Sequence, residues 1–246
     1  MRRLKLIAGI VGALSFAVLL LACGKAEAPE GAMTATPSTP VAAAITVDEP
    51  QPNAAVNVPV TVKGTASVFE GTVQVAVKDA SGKTLCQTFA TASEGAPGRG
   101  SFQTQVFFPP PETEGGGTVE VFSESPKDGS VQDLVSVPVT FSSEQPAVVV
   151  TAPVCGAQVK SPVFFEGTAS GSLGTFVIVV RDSLGNELAR AIVQPPPDQS
   201  GTYPFEQQMA FPPPSGSEPG TIEALSTSAS DGSAQTLFLV PVTLTP

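Results

Sequence analysis

The stretch "TVQVAVKDASGK", Thr72–Lys83, decides how the chain folds. Its residues alternate strictly. Val73, Val75 and Val77 point to one side; Thr72, Gln74, Ala76 and Lys78 point to the other. A period of two is the mark of a half-buried strand. Asp79-Ala80-Ser81-Gly82 then supplies a turn, with a carboxylate to bond the backbone and a glycine free to take positive φ. A second stretch of the same build, "TFVIVVRDSLGN", stands at Thr175–Asn186, a shift of 103 residues.

The same shift carries a whole unit. Pro50 maps onto Pro153, and Gly64-Thr65-Ala66-Ser67 onto Gly167-Thr168-Ala169-Ser170. Phe108-Pro109-Pro110-Pro111 maps onto Phe211-Pro212-Pro213-Pro214, Asp128-Gly129-Ser130 onto Asp231-Gly232-Ser233, and Val137-Pro138-Val139-Thr140 onto Val240-Pro241-Val242-Thr243. A repeat of about 100 residues is a duplicated domain; solenoid periods are about 20–50. Further strand candidates in the first copy fall near 45–48, 58–66, 83–90, 101–108, 117–124 and 131–141, and recur in the second. Seven short strands with turns between them predict an immunoglobulin-like β-sandwich. Asp128-Gly129 and Asp231-Gly232 are hairpin dipeptides joining the last two strands of each copy. The expected fold is all-β, with two tandem sandwiches over 45–142 and 148–246.

The ordered series "VPVTVKGTASVFEGTVQVAVKDASGKTL", "GSFQTQVFF", "GTVEVFSESPKDGS" and "VPVTF" resembles the immunoglobulin-like domain of bacterial spore germination. The resemblance covers about 45–142 and again about 148–245. The first copy keeps Phe69-Glu70-Gly71, where the second has Ser172-Leu173-Gly174. It implies the sandwich fold and a place among cell-wall-associated proteins and lipoproteins. It carries no defined activity and does not imply sporulation.

The first segment reads as a leader. Arg2, Arg3 and Lys5 precede an apolar run, Leu6 to Leu21, shorter than the about 20 residues of a spanning helix. Leu20-Leu21-Ala22-Cys23 resembles the lipobox of bacterial lipoproteins. That resemblance implies cleavage after Ala22 and acyl chains on Cys23, which multiple chains make a stable anchor. Residues 1–22 are then a lipoprotein signal peptide. Residues 23–44, rich in Ala, Pro and Thr, form a disordered tether with too little apolar surface to fold. As a coil it spans roughly 25 Å.

Composition narrows the partners. The chain carries 12 basic and 22 acidic residues, and loss of Arg2, Arg3 and Lys5 with the leader takes its net charge from −10 to −13. Nucleic acid and anionic lipid surfaces need a positive patch, so neither is an expected partner.

Chemistry is hard to place on this sequence. It has no His, so no Ser-His-Asp or Cys-His set exists. Gly82-Lys83-Thr84 lies in a strand-turn-strand and lacks the upstream glycine of a phosphate loop. Asp79, Asp128, Asp182 and Asp231 stand nearly alone beside glycines, as turns require, whereas a hard cation needs several converging carboxylates. Glu120 and Glu223 occupy equivalent outward positions in different copies, where a solvated face is expected. Neither a catalytic set, a metal nor a cofactor is expected.

Two cysteines remain beyond Cys23. Cys86 and Cys155 stand where the opposite copy has Ala189 and Pro52. Export favours oxidation. With Leu85 and Phe89 pointing inward, Cys86 would point outward, within reach of the second domain. The two cysteines are therefore candidates for an interdomain disulfide, with free thiols as the alternative.

The copies also differ on one face. The third, sixth and seventh strands of such a sandwich share a sheet. At its outward positions the first copy has Gln74, Ala76 and Ser136, and the second has Val177, Val179 and Leu239; Phe122 and Leu225 are apolar in both. Val177, Val179, Leu225 and Leu239 are thus candidate partner-binding residues on an exposed apolar stripe. The alternatives are a slip in alternation, or cover by the first copy. The sequence therefore leads to a non-catalytic, lipid-anchored module at the outer face of a bacterial membrane, binding or spacing in the cell envelope. An envelope protein is the expected partner. A cell-wall polysaccharide ranks lower, because Trp is absent and Tyr203 is the one tyrosine.

Overall fold

The computed structural model describes residues 43–194, 196, 201–228 and 232–246. The leader, Cys23, tether residues 23–42 and Asp231 lie outside the described residues. Among those described, sixteen strands form and no helix is long and apolar enough to cross a membrane.

The first copy has eight strands: β1 (Ile45–Glu49), β2 (Ala54–Val56), β3 (Val60–Ala66), β4 (Thr72–Asp79), β5 (Thr84–Thr91), β6 (Gly100–Val106), β7 (Gly115–Glu124) and β8 (Val131–Phe141). They make a three-stranded sheet, β1-β3-β6, packed on a five-stranded one, β2-β8-β7-β4-β5. The second copy repeats the plan with β9 (Val148–Ala152), β10 (Gln158–Val159), β11 (Val163–Ser170), β12 (Phe176–Arg181), β13 (Glu187–Val193), β14 (Thr202–Met209), β15 (Glu218–Thr227) and β16 (Ala234–Leu244). Its sheets are β9-β11-β14 and β10-β16-β15-β12-β13. Two tandem immunoglobulin-like sandwiches are the architecture that the alternation predicts.

Each copy has one strand more than the seven expected. The addition is β2 in the first and β10 in the second, pairing parallel with β8 and β16. Three and two residues are too few to show a period, so pattern alone passes them over.

Val73, Val75 and Val77 of β4 are fully buried, as the alternation requires. The repeated Gly-Thr-Ala-Ser has a packing cause. A Cβ on Gly64 would run into the Thr46 carbonyl oxygen and sit 2.8 Å from Phe102 Cζ. A Cβ on Gly167 would meet the Val149 carbonyl oxygen and Phe205 Cζ in the same way. Only a residue without a side chain lets β1 and β9 lie against these rings.

Candidate functional site

The acidic turns hold themselves. Asp79 Oδ1 accepts from the Ser81 hydroxyl at 2.6 Å and from the Ser81 and Lys83 amides at 2.8 and 3.0 Å. Asp182 accepts from the Leu184 and Asn186 amides and from the Asn186 side chain, at 2.8–2.9 Å. Asp128 accepts from the Ser130 hydroxyl at 2.8 Å. These bonds pull all three carboxyls below the ordinary aspartate range: Ser81 is the leading cause for Asp79, Ser130 for Asp128 and Asn186 for Asp182. No cluster of metal-ligating side chains occurs among the described residues.

Glu120 and Glu223 are ion-paired rather than merely solvated. Glu120 meets Lys78 Nζ at 2.7 Å across β7 and β4, and Glu223 meets Arg181 Nε at 3.0 Å across β15 and β12. The duplication has kept the pair and its place.

That pairing bears on the expected stripe, which the structure corrects. Val177, Val179, Leu225 and Leu239 do share the outer face of the second five-stranded sheet, with Val177 opposite Leu225 and Glu223 between Val179 and Leu239. They do not make an exposed patch. Val179 is 0 % exposed, Leu225 is 7 % exposed, and Val177 and Leu239 are half-buried. Val179 lies in register between Glu223 on one side and Arg190 on the other. Long charged side chains cover a neighbour with their aliphatic stems. Leu239 lines a cleft with Gln103, Thr104 and Phe107 of the first copy.

A different place carries the differences between the copies. Cys86 and Cys155 are joined by a disulfide, with Cα atoms 5.3 Å apart. The expected orientation of Cys86 is reversed: it is 2 % exposed and points inward, whereas Phe89 is 57 % exposed. Pairing with β4 sets this. Cys86, Thr88 and Ala90 lie opposite Val77, Val75 and Val73, and residues paired across a sheet share a face. Cys86 reaches the second copy because β5 starts at the end of the sandwich where the second copy begins. There Phe107, just beyond β6, packs on Phe238 of β16, with ring centroids 5.5 Å apart and planes at 57°. One apolar cluster runs through both copies. Beside the disulfide, Leu85, Phe107, Val154 and Phe238 line an apolar cleft of about 410 Å³.

Every anchor of this junction is specific to its copy. Cys86 corresponds to Ala189, Cys155 to Pro52, Phe107 to Ala210 and Phe238 to Val135. Sequence reasoning found the cysteines in this way and missed the two phenylalanines. The same comparison of copies would have exposed them.

Comparisons place these observations among known proteins. The model of a family described as the immunoglobulin-like domain of bacterial spore germination matches residues 44–130 and 147–233. No curated protein matches the chain. Among solved structures, the chain is similar to a tetra-tandem repeat from the extending region of a large adhesion protein, at 22% identity and a TM-score of 0.28, covering 82% of this chain and 48% of that one. It is similar to the BSP domain of a biofilm-associated protein at 20% identity and a TM-score of 0.25, covering 81% and 29%. It is also similar to the fibronectin(III)-like modules of Clostridium thermocellum CbhA at 16% identity and a TM-score of 0.24, covering 82% and 93%. The chain thus spans about half and under a third of the first two.

Proposed function

We propose that this chain, which belongs to the family of the immunoglobulin-like domain of bacterial spore germination, is a non-catalytic spacer and binding module whose two sandwiches work as one body at the bacterial cell envelope. The junction carries this reading. Two copies that merely followed each other on a string would need no changes at their contact. Here the disulfide and the Phe107–Phe238 contact arise where the copies have diverged. A crosslink added to a buried aromatic contact opposes the hinge motion that two domains otherwise show by default.

The place of action rests on the leader. Acylation at Cys23 would hold the module to the outer face of the membrane. The tether would lift it off the lipid toward an envelope protein or a cell-wall component. The absence of His leaves no imidazole for acid–base work, and the acidic balance disfavours nucleic acid.

Two experiments test the reading. Mass spectrometry of protein from native membranes should find Cys23 at the N-terminus with its acyl chains, and Cys23→Ala should yield a protein that carries none. An unmodified protein that keeps residues 1–22 would contradict the anchor. Small-angle X-ray scattering of the oxidised protein should fit one fixed arrangement of the sandwiches. A curve that only a broad set of arrangements fits would contradict the single body.

A further inference from the structure

A groove lies beside the junction. It is about 630 Å³ and lies between β5 and β6 of the first copy and the outer face of β15 and β16 in the second. Pockets for small ligands have volumes of this order and form preferentially between domains. Phe89 stands in it, more than half exposed. Gln74 lies opposite Phe89 on the neighbouring strand, and Gln87 lies two residues before it on the same face. The Gln87 amide donates to Gln74 Oε1 at 3.5 Å, which sets the two amides side by side. Gln105 and Thr104 add another amide and a hydroxyl, while the Thr221 hydroxyl donates to Glu223 Oε1 at 3.3 Å.

The geometry points to a neutral oligosaccharide as the ligand of this groove. A sugar ring has an apolar face of C–H groups and a rim of hydroxyls. An exposed aromatic ring matches the face, and side-chain amides both donate to and accept from the rim. Other ligands fit worse. Among the described residues no Lys or Arg lines the groove, and the whole chain is acidic, so an anion meets no counter-charge from them. Asp182, the one carboxylate among the described lining residues, is spent on its own turn. A wholly apolar ligand would strip the amides of water without replacing the bonds.

The duplication gives an independent argument. At the positions of Phe89, Gln74 and Gln87 the second copy has Ile192, Val177 and Arg190. The ring and its two flanking amides belong to the first copy alone, and that is the copy whose face the junction turns toward a second wall. Cys86 precedes Gln87, so the disulfide holds this wall in place. The platform is a phenylalanine; Tyr203, the one tyrosine, is 2 % exposed and unavailable.

The test is an NMR titration of the oxidised protein with chitotetraose, with cellotetraose and with an anionic uronate tetrasaccharide. The side-chain amides of Gln74, Gln87 and Gln105 and the ring of Phe89 should shift and saturate with a neutral sugar, in the millimolar range expected of a single weak site. Phe89→Ile and Gln74→Val install residues that the second copy already accommodates, so the fold is kept. Each should weaken binding, Phe89→Ile about tenfold or more, while Ile192→Ala should leave it unchanged. No saturable shift with either neutral sugar up to about 20 mM would overturn the proposal. So would unchanged binding by Phe89→Ile, or binding of the uronate as tight as that of the neutral sugars. The single-body reading is read out by scattering and stands or falls separately.

Discussion

Reducing the Cys86–Cys155 disulfide should lower stability by an amount that the chain itself sets. The bond closes a loop with a sequence separation of 69. In the chain-entropy account, closing about 70 residues removes roughly 15 cal/mol/K from the unfolded ensemble, or about 4 kcal/mol at 25 °C. Because the bond crosses from one sandwich to the other, the loss is felt by both if they unfold together. For a cooperative unit of about 200 residues, a loss of that size lowers Tm by about 10 °C. The assay is differential scanning calorimetry of the oxidised protein and of the same protein in a phosphine reductant. Comparing redox states of one sequence avoids the cavity that a substitution at buried Cys86 would leave. One shifted transition is the expected result. Two separate transitions, or a change under about 2 °C, would refute the reasoning, because the bond would then not be constraining a shared unit.

Three further outcomes follow from the packing and the charges. Gly64→Ala and Gly167→Ala should each cost about 3 kcal/mol or more in urea denaturation, since the new methyl meets backbone that cannot move aside. Asp79, Asp128 and Asp182 have folded pKa values below their unfolded ones, so their contribution is present above about pH 4 and is lost as pH falls through the lowered values. Urea midpoints should therefore fall from pH 5 to pH 2, and Asp182→Asn should flatten that fall. The Tyr203 hydroxyl is buried and has no hydrogen-bond partner among the described residues, and burial raises its pKa. Its contribution is full below about pH 10 and is lost as pH rises further. Tyr203→Phe should raise stability by about 1 kcal/mol and weaken that alkaline loss.

The periodic parts of the molecule are legible in the sequence. Val73, Val75 and Val77 announce their strand, and the 103-residue shift announces the second sandwich, because alternation and duplication are local or exact signals. The facing of β5 was not legible. Leu85 and Phe89 are the large apolar residues of that strand, yet its face is set by pairing with β4, which turns the smaller Cys86, Thr88 and Ala90 inward. The outer face of β12 misled in the opposite direction. Val179 reads as exposed by alternation, but residues distant in sequence, Arg190 and Glu223, flank it in the sheet. The groove joins Gln74 to Thr221, and no pattern within one strand encodes such a meeting.

The joining of the two sandwiches into one body is the central claim, and backbone ¹⁵N relaxation of the oxidised protein tests it most directly. Amides in β4 and in β12 should report the same rotational correlation time, that of a particle of both copies together. Two distinct and shorter times would mean that the sandwiches tumble apart, and the account of the junction would be contradicted.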